Sequence, residues 1–297
     1  MSAPRYRLIR GAFYLLYPDL PRNGPEPDGD TISFLPDNDD LVTALPRFGD
    51  RRPDRKHLGT YSVRFEGIDA LETHFQNHHQ NLGFATAARD LMLREVGFTQ
   101  VEFLPDLPNK VQVATPHPLP GHILATGIEA NGRIVAQVYP GVPDDGLVDG
   151  DRVFVDGDRL DRSVNAALIR AGLAYGEFYT TMPFALIGRL RDLVTQARAA
   201  GAGFWPREDI GIDSPARPTS VADLDDLVVF PKLYRRLVDY FTDSHTDLAA
   251  FDTWIRQPER DDPAQLPTGE RGHLHDLYQV DDKSISLRLL PEQLIFL

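Results

Sequence analysis

The chain has 297 residues, 42% hydrophobic and 25% charged, enough apolar material for a sizeable core and about two domains. A formal charge of −13 excludes a surface coated with phosphate-binding basic residues, so any positive potential for nucleic acid has to be local. The absence of cysteine excludes disulfides, thiolate metal ligands and cysteine nucleophiles, which leaves oxygen and imidazole to hold a metal.

No stretch reaches the ~20 apolar residues that span a bilayer. The short run Gly11 to Tyr17 follows Arg5, Arg7 and Arg10 but is broken by Pro18 and Pro21, and it lacks the full apolar region and cleavage site of a signal peptide. The expected location is cytoplasmic, with no membrane partner.

Residues 5 to 17 alternate β-branched and aromatic residues and predict a strand. Thr31 to Leu35 predicts a second, entered through Asp28-Gly29-Asp30, a good turn by its residue types alone. Tyr61 to Ile68 alternates as a third, and Gly83 to Gly97 has apolar residues at helical spacing with a glycine placed to end the helix. Phe98 to Leu104 and Arg133 to Pro140 complete five strands, and the stretch 105–128 reads as a long loop. A second helix follows over Arg162 to Ala174 and a third over Phe184 to Ala200, with Phe204 and Trp205 docking back on the body.

Five short strands with three helices predict an α+β fold built on a small closed barrel. The polar, proline-rich residues 207–220 read as a linker, separating a first domain of residues 1–206 from a C-terminal, mainly helical extension of residues 221–297. Within that extension Leu233, Leu237 and Phe241 mark an amphipathic helix whose apolar face suits either core or a protein interface.

Three fragments at strand ends carry the chemistry: Asp28-Gly29-Asp30-Thr31, Arg64 with Asp69 and Glu72, and Arg133. A hard divalent cation takes carboxylate and carbonyl oxygens and eases attack of water on a phosphodiester. A further carboxylate can orient that water, and guanidinium groups neutralise charge on the five-coordinate phosphorus. In isolation Asp28 to Asp30 reads as a turn and the two arginines as ion-pair partners, but their ordered company favours a site.

In this order the motifs resemble the staphylococcal nuclease family: DGDT after a strand, R-x-x-x-I-D-x-x-E-T, a helix, a Gly-Arg before the next strand, then VNAALIRAGLA. The resemblance covers residues 5–206 and implies an OB-fold barrel with three helices, hydrolysis of DNA and RNA, and 3′-phosphate products. It further implies a divalent cation, calcium first with magnesium or manganese as alternatives. Asp30 and Asp69 match the carboxylate ligands, Ala70 the position that lends its carbonyl, and Asp28 an acidic position near the metal. Glu72 matches the water-positioning glutamate, and Arg64 and Arg133 match the phosphate-binding arginines. Tyr175 and Tyr179 fall where the family offers aromatic rings to bases. Two positions depart from the pattern: Leu71 stands where the family has proline, and Asn131 where it has tyrosine.

Other clusters read as ordinary structure. Asp37 to Asp40 lack the glycine and glutamate of an EF-hand. His74, His78, His79, His273 and His275 read as polar loop residues, and the DGD triplets at 149–151 and 156–158 as hairpin turns. Two other readings stay open: a nucleic-acid-binding barrel that has lost turnover, and a scaffold or regulator whose C-terminal module binds a protein partner or a second copy.

Overall fold

The strands form where β-branched and aromatic residues alternate. In the computed structural model, which describes residues 6–143 and 146–297, β1 is Tyr6–Tyr14, β2 Thr31–Pro36, β3 Tyr61–Phe65 and β4 Ile68–Ala70. Then come β5 (Gln100–Leu104), β6 (Leu107–Thr115), β7 (Leu119–Ile128), β8 (Ile134–Pro140), β9 (Arg152–Val153) and β10 (Ala174–Gly176). The helices are α1 (Asp39–Thr43), α2 (Leu82–Val96), α3 (Gly157–Asp161), α4 (Val164–Arg170), α5 (Phe184–Ala199), α6 (Pro231–Thr242) and α7 (Phe251–Ile255). Toward the C-terminus lie β11 (Pro263–Gln265), β12 (Arg271–His273), β13 (Tyr278–Asp281), β14 (Ser284–Leu287) and β15 (Ile295–Phe296). Arg5, at the start of the first expected strand, and Asp144 and Asp145, in the stretch after β8, lie outside the described residues.

The chain divides into two compact units. One comprises the residues up to Glu66, Arg89–Leu168 and Pro183–Leu186; the other comprises Gly67–Ala88, Ile169–Met182 and Ile187–Leu297. Residues 67–88 and 169–182 thus pack with the C-terminal extension, and the division does not fall in the stretch 207–220.

In the first unit the order β2-β3-β8-β7-β1, closed by pairing of β1 with β2, makes a five-stranded barrel. All its ladders are antiparallel except β3 with β8, where Val63 pairs Ile134. Closure removes the sheet edges that would otherwise expose unpaired backbone groups. The strands approach so closely at Gly11 and Gly121, which face each other in register, that a Cβ on Gly121 would lie 2.1 Å from the Phe13 ring. Leu8, Phe13, Phe34, Val63, Ile123 and Val138 fill the interior.

The stretch 105–128, expected to be a loop, instead holds β6 and β7. β7 is a barrel strand between β1 and β8, and β6 pairs β5 in a separate hairpin. The triplet at 156–158 is also corrected: Asp156 accepts from the Arg159 amide at 2.8 Å and caps α3, where a hairpin turn was expected. Asn38 likewise caps α1, accepting from the Asp40 amide at 3.1 Å.

In the second unit β4 pairs β10, with Asp69 opposite Tyr175. The extension adds α6, α7, the sheet β12-β11-β15 and the hairpin of β13 with β14. The apolar face of α6, including Leu233, Tyr234, Leu237, Val238 and Phe241, is buried, so the amphipathic stripe is core and not an open interface. No helix among the described residues is long and apolar enough to cross a membrane.

Candidate functional site

Pairing of β2 with β3 sets Thr31 opposite Arg64, and the Phe65 amide donates to the Asp30 carbonyl at 2.8 Å. That register brings the Arg64 guanidinium onto the Asp30 carboxylate, both side chains largely buried. Asp28 supports the turn, its carboxylate accepting from the Asp30 amide at 3.1 Å. The barrel therefore couples Asp28, Asp30 and Arg64 through backbone geometry.

Arg133 directly precedes β8 and turns back on its own hairpin. Its Nε donates to Glu129 Oε1 at 3.2 Å, and the same oxygen accepts from the Arg133 amide at 3.0 Å. Burial raises the Glu129 carboxyl, but Arg133 and the backbone donors outweigh it and hold it below its ordinary value. Gly132, at φ +87°, is required there, since a Cβ would meet the Arg52 carbonyl at 2.9 Å.

In the second unit Asp69 is almost fully enclosed, and the Arg235 guanidinium of α6 meets it at 3.0 Å (Nη2 to Oδ2). The same guanidinium donates through Nη1 to Glu72 Oε1 at 2.5 Å. Glu72 is positioned by its backbone: its amide donates to Gln80 Oε1 at 3.1 Å and its carbonyl accepts from the Gln80 amide at 3.0 Å. Gln80 is itself buried and donates to the Val229 carbonyl at 2.7 Å. Leu71, in the place of proline, is 1% exposed, so packing anchors the turn where a ring would otherwise stiffen it.

Tyr175 and Tyr179 differ. Tyr175 is 0% exposed, stacked on Phe204 at 4.8 Å and edge-on to Trp205 and Phe230, so in this arrangement it is core and shows no face to a base. Tyr179 is 38% exposed; its hydroxyl donates to Glu177 at 3.2 Å and accepts from Lys232 at 3.0 Å. Burial pulls the Lys232 ammonium down, but Glu177 at 3.1 Å, with Tyr179 and Asp262, holds it above its ordinary range.

His78 Nδ1 lies 3.3 Å from Asp225, and His79 Nδ1 lies 3.0 Å from the Asp225 carbonyl. Asp261, His273 and His275 form the one group of three metal-type donors among the described residues. His275 places its Nδ1 2.5 Å from Asp261 and its Nε2 2.6 Å from Arg256, so both of its ring nitrogens are engaged within the protein.

Sequence reasoning missed Arg235. The helical stripe of α6 was legible, but nothing in the spacing ties its arginine to carboxylates more than 160 residues earlier. Asp69 and Glu72 bring two carboxylates onto one positive group, and carboxylate oxygens are the donors that a hard cation takes.

Residues 62–207 match the family model described as staphylococcal nuclease homologue. Arg64, Asp69, Ala70, Glu72, Arg133, Tyr175 and Tyr179 all lie inside the match, and Asp30 precedes it. No curated protein matches the chain. With a closed five-stranded barrel in an α+β fold, this chain carries, over residues 62–207, a domain of the staphylococcal nuclease family.

Proposed function

We propose that the protein is a metal-dependent nuclease that hydrolyses phosphodiester bonds of DNA, RNA or both with little sequence preference, leaving 3′-phosphates. The observation that carries this reading is the convergence of Asp69 and Glu72, in the motif order of the family, on a single cationic group. Two carboxylates that converge on one guanidinium, one of them enclosed, make an acidic site whose charge is balanced by a cation, and the family motif they belong to is what points to a metal.

Asp30, Asp69 and the Ala70 carbonyl are the residues that would hold the cation, calcium first and magnesium or manganese next. Such an ion, when bound, supplies Lewis-acid polarisation of the phosphoryl group. Glu72 orients the attacking water and takes its proton as the water oxygen bonds to phosphorus and the P–O5′ bond breaks, the leaving 5′-oxygen taking a proton from solvent. Arg64 and Arg133 hold the phosphate and offset charge on its oxygens, their planar forks suited to two oxygens at once. Tyr179, with its exposed ring, is the better placed of the two tyrosines to stack on a base.

The test is cleavage of labelled single- and double-stranded DNA and RNA by the purified protein with calcium, magnesium or chelator, beside Glu72→Gln and Arg64→Ala. Metal-dependent cleavage should drop by at least ~100-fold in both variants, as losing a general base or a charge stabiliser requires. Retention of nucleic acid without cleavage under any metal would instead make the barrel a binding module, and cleavage indifferent to both substitutions would overturn the assignment of the site.

A further inference from the structure

Arg235 lies outside the matched segment, while the two carboxylates it meets lie inside it. Its geometry is not that of a casual surface pair. One guanidinium forks across two carboxylates: Nη2 to Asp69 Oδ2 at 3.0 Å, and Nη1 to Glu72 Oε1 at 2.5 Å and toward Asp69 Oδ1 at 3.4 Å. The side chain of Asp69 is 1% exposed and that of Glu72 15%, so solvent screens the arrangement poorly.

Helix α6 is held where it can deliver this charge. Its buried apolar face flanks Arg235, and on its polar side Gln76 donates to Asp239 at 2.9 Å and Arg236 donates to Asp262 at 2.9 Å. The Arg235 side chain retains 26% exposure, and its contacts to Asp69 and Glu72 tie α6 to the turn after β4, so releasing them loosens the helix.

We propose that Arg235 is a resident counter-ion that competes with the divalent cation for Asp69 and occupies the neighbouring Glu72, so that the C-terminal extension sets the ion affinity of the site. The inference rests on the nuclease reading for the roles of those two residues. While the guanidinium sits on both carboxylates, a divalent ion meets a like charge and a Glu72 already engaged. Ion binding then requires Arg235 to swing out, and the work of displacing it weakens the observed affinity. The extension thereby restrains an otherwise indiscriminate hydrolase at low ion concentration.

The experiment is calorimetric titration of calcium into chelator-stripped full-length protein, comparing wild type with Arg235→Gln and Arg235→Lys, with DNA cleavage measured on the same samples. Arg235→Gln should bind calcium at least ~10-fold more tightly, within the usual span of coupling between two competing events. Arg235→Lys, which keeps the charge and loses the fork, should fall between the two. Equal or weaker binding by Arg235→Gln overturns the proposal.

If removing the guanidinium prevents folding, hydrogen exchange on the wild type decides. Saturating calcium should speed exchange in Pro231–Thr242, and no calcium-dependent change there overturns the proposal. The two arms separate this inference from the reading beneath it. Equal affinities with metal-dependent cleavage in both proteins sink the inference alone; tighter binding by the variant without cleavage sinks the nuclease assignment and leaves the counter-ion.

Discussion

In the barrel unit Asp30 meets Arg64 because their strands are hydrogen-bonded neighbours, with Thr31 opposite Arg64. In the second unit Asp69 and Glu72 meet an arginine 166 and 163 residues further along the chain. Both units thus pair acidic motif residues with a guanidinium, but one pairing is set by backbone register and the other by tertiary packing of a helix. The first should survive wherever the barrel folds. The second depends on the whole extension.

The largest expected effect follows from that dependence. Deleting residues 213–297 removes Phe230 from the Tyr175 ring, Val229 from Gln80, and Arg235 from Asp69 and Glu72. It also removes buried Leu233, Leu237, Tyr240, Leu294 and Phe296. Each large apolar side chain lost from a core is worth about 1.5–3 kcal/mol, so the sum is comparable to the roughly 5–15 kcal/mol by which a domain is stable. The truncated chain should lose its cooperative thermal transition by circular dichroism; a transition within a few degrees of the full chain would show that the extension is not integral.

The same contrast explains how much could be read from sequence. β1, β2, β3 and β8 were legible because alternation of apolar residues is a local signal. β7 was hidden because Pro116, Pro118 and Pro120 crowd its entrance and Gly121 and Gly127 interrupt it, although that proline-rich entrance is where β7 begins its pairing with β1. The acidic and arginine positions were legible as an ordered motif. Tyr175 was harder to place, since an aromatic residue in "GLAYGEF" suits a binding face or a core equally well until Phe204, Trp205 and Phe230 are seen around it. The partner of Asp69 and Glu72 had no local signature at all.

A second experiment sharpens the comparison through a carboxyl that has no such cation among the described residues. Glu66, fully buried in the barrel unit, accepts from Tyr6 at 2.7 Å, Gln137 at 3.1 Å and Thr126 at 3.1 Å, all neutral donors. Burial pushes it above its ordinary value of 4.5, against the pull of those hydrogen bonds. A folded-state value above the unfolded one means that its stabilising contribution is complete below about pH 4.5 and is lost as pH rises through the folded value. The stability of wild type relative to Glu66→Gln should therefore fall with rising pH in that window, by as much as ~1.4 kcal/mol per pH unit. Parallel unfolding curves for the two proteins from pH 4 to 8 would contradict the assignment.

The smallest effect compares two helix caps. Asn38 caps α1 in the barrel unit through one exposed bond to the Asp40 amide. Asn81 precedes α2 in the second unit, accepts from the Phe84 amide at 3.2 Å, and also donates to Asp226 Oδ1 of the extension at 2.8 Å. Alanine at a cap costs about 0.5–2 kcal/mol, and a lost hydrogen bond to a charged group adds a comparable amount. Asn38→Ala should fall near the low end of the cap range and Asn81→Ala at or above its upper end, as read by urea midpoints at constant slope. Equal shifts would mean that the extension does not tighten the elements it touches; a larger shift at Asn81 extends to a neutral cap the dependence on tertiary packing seen at Asp69 and Glu72.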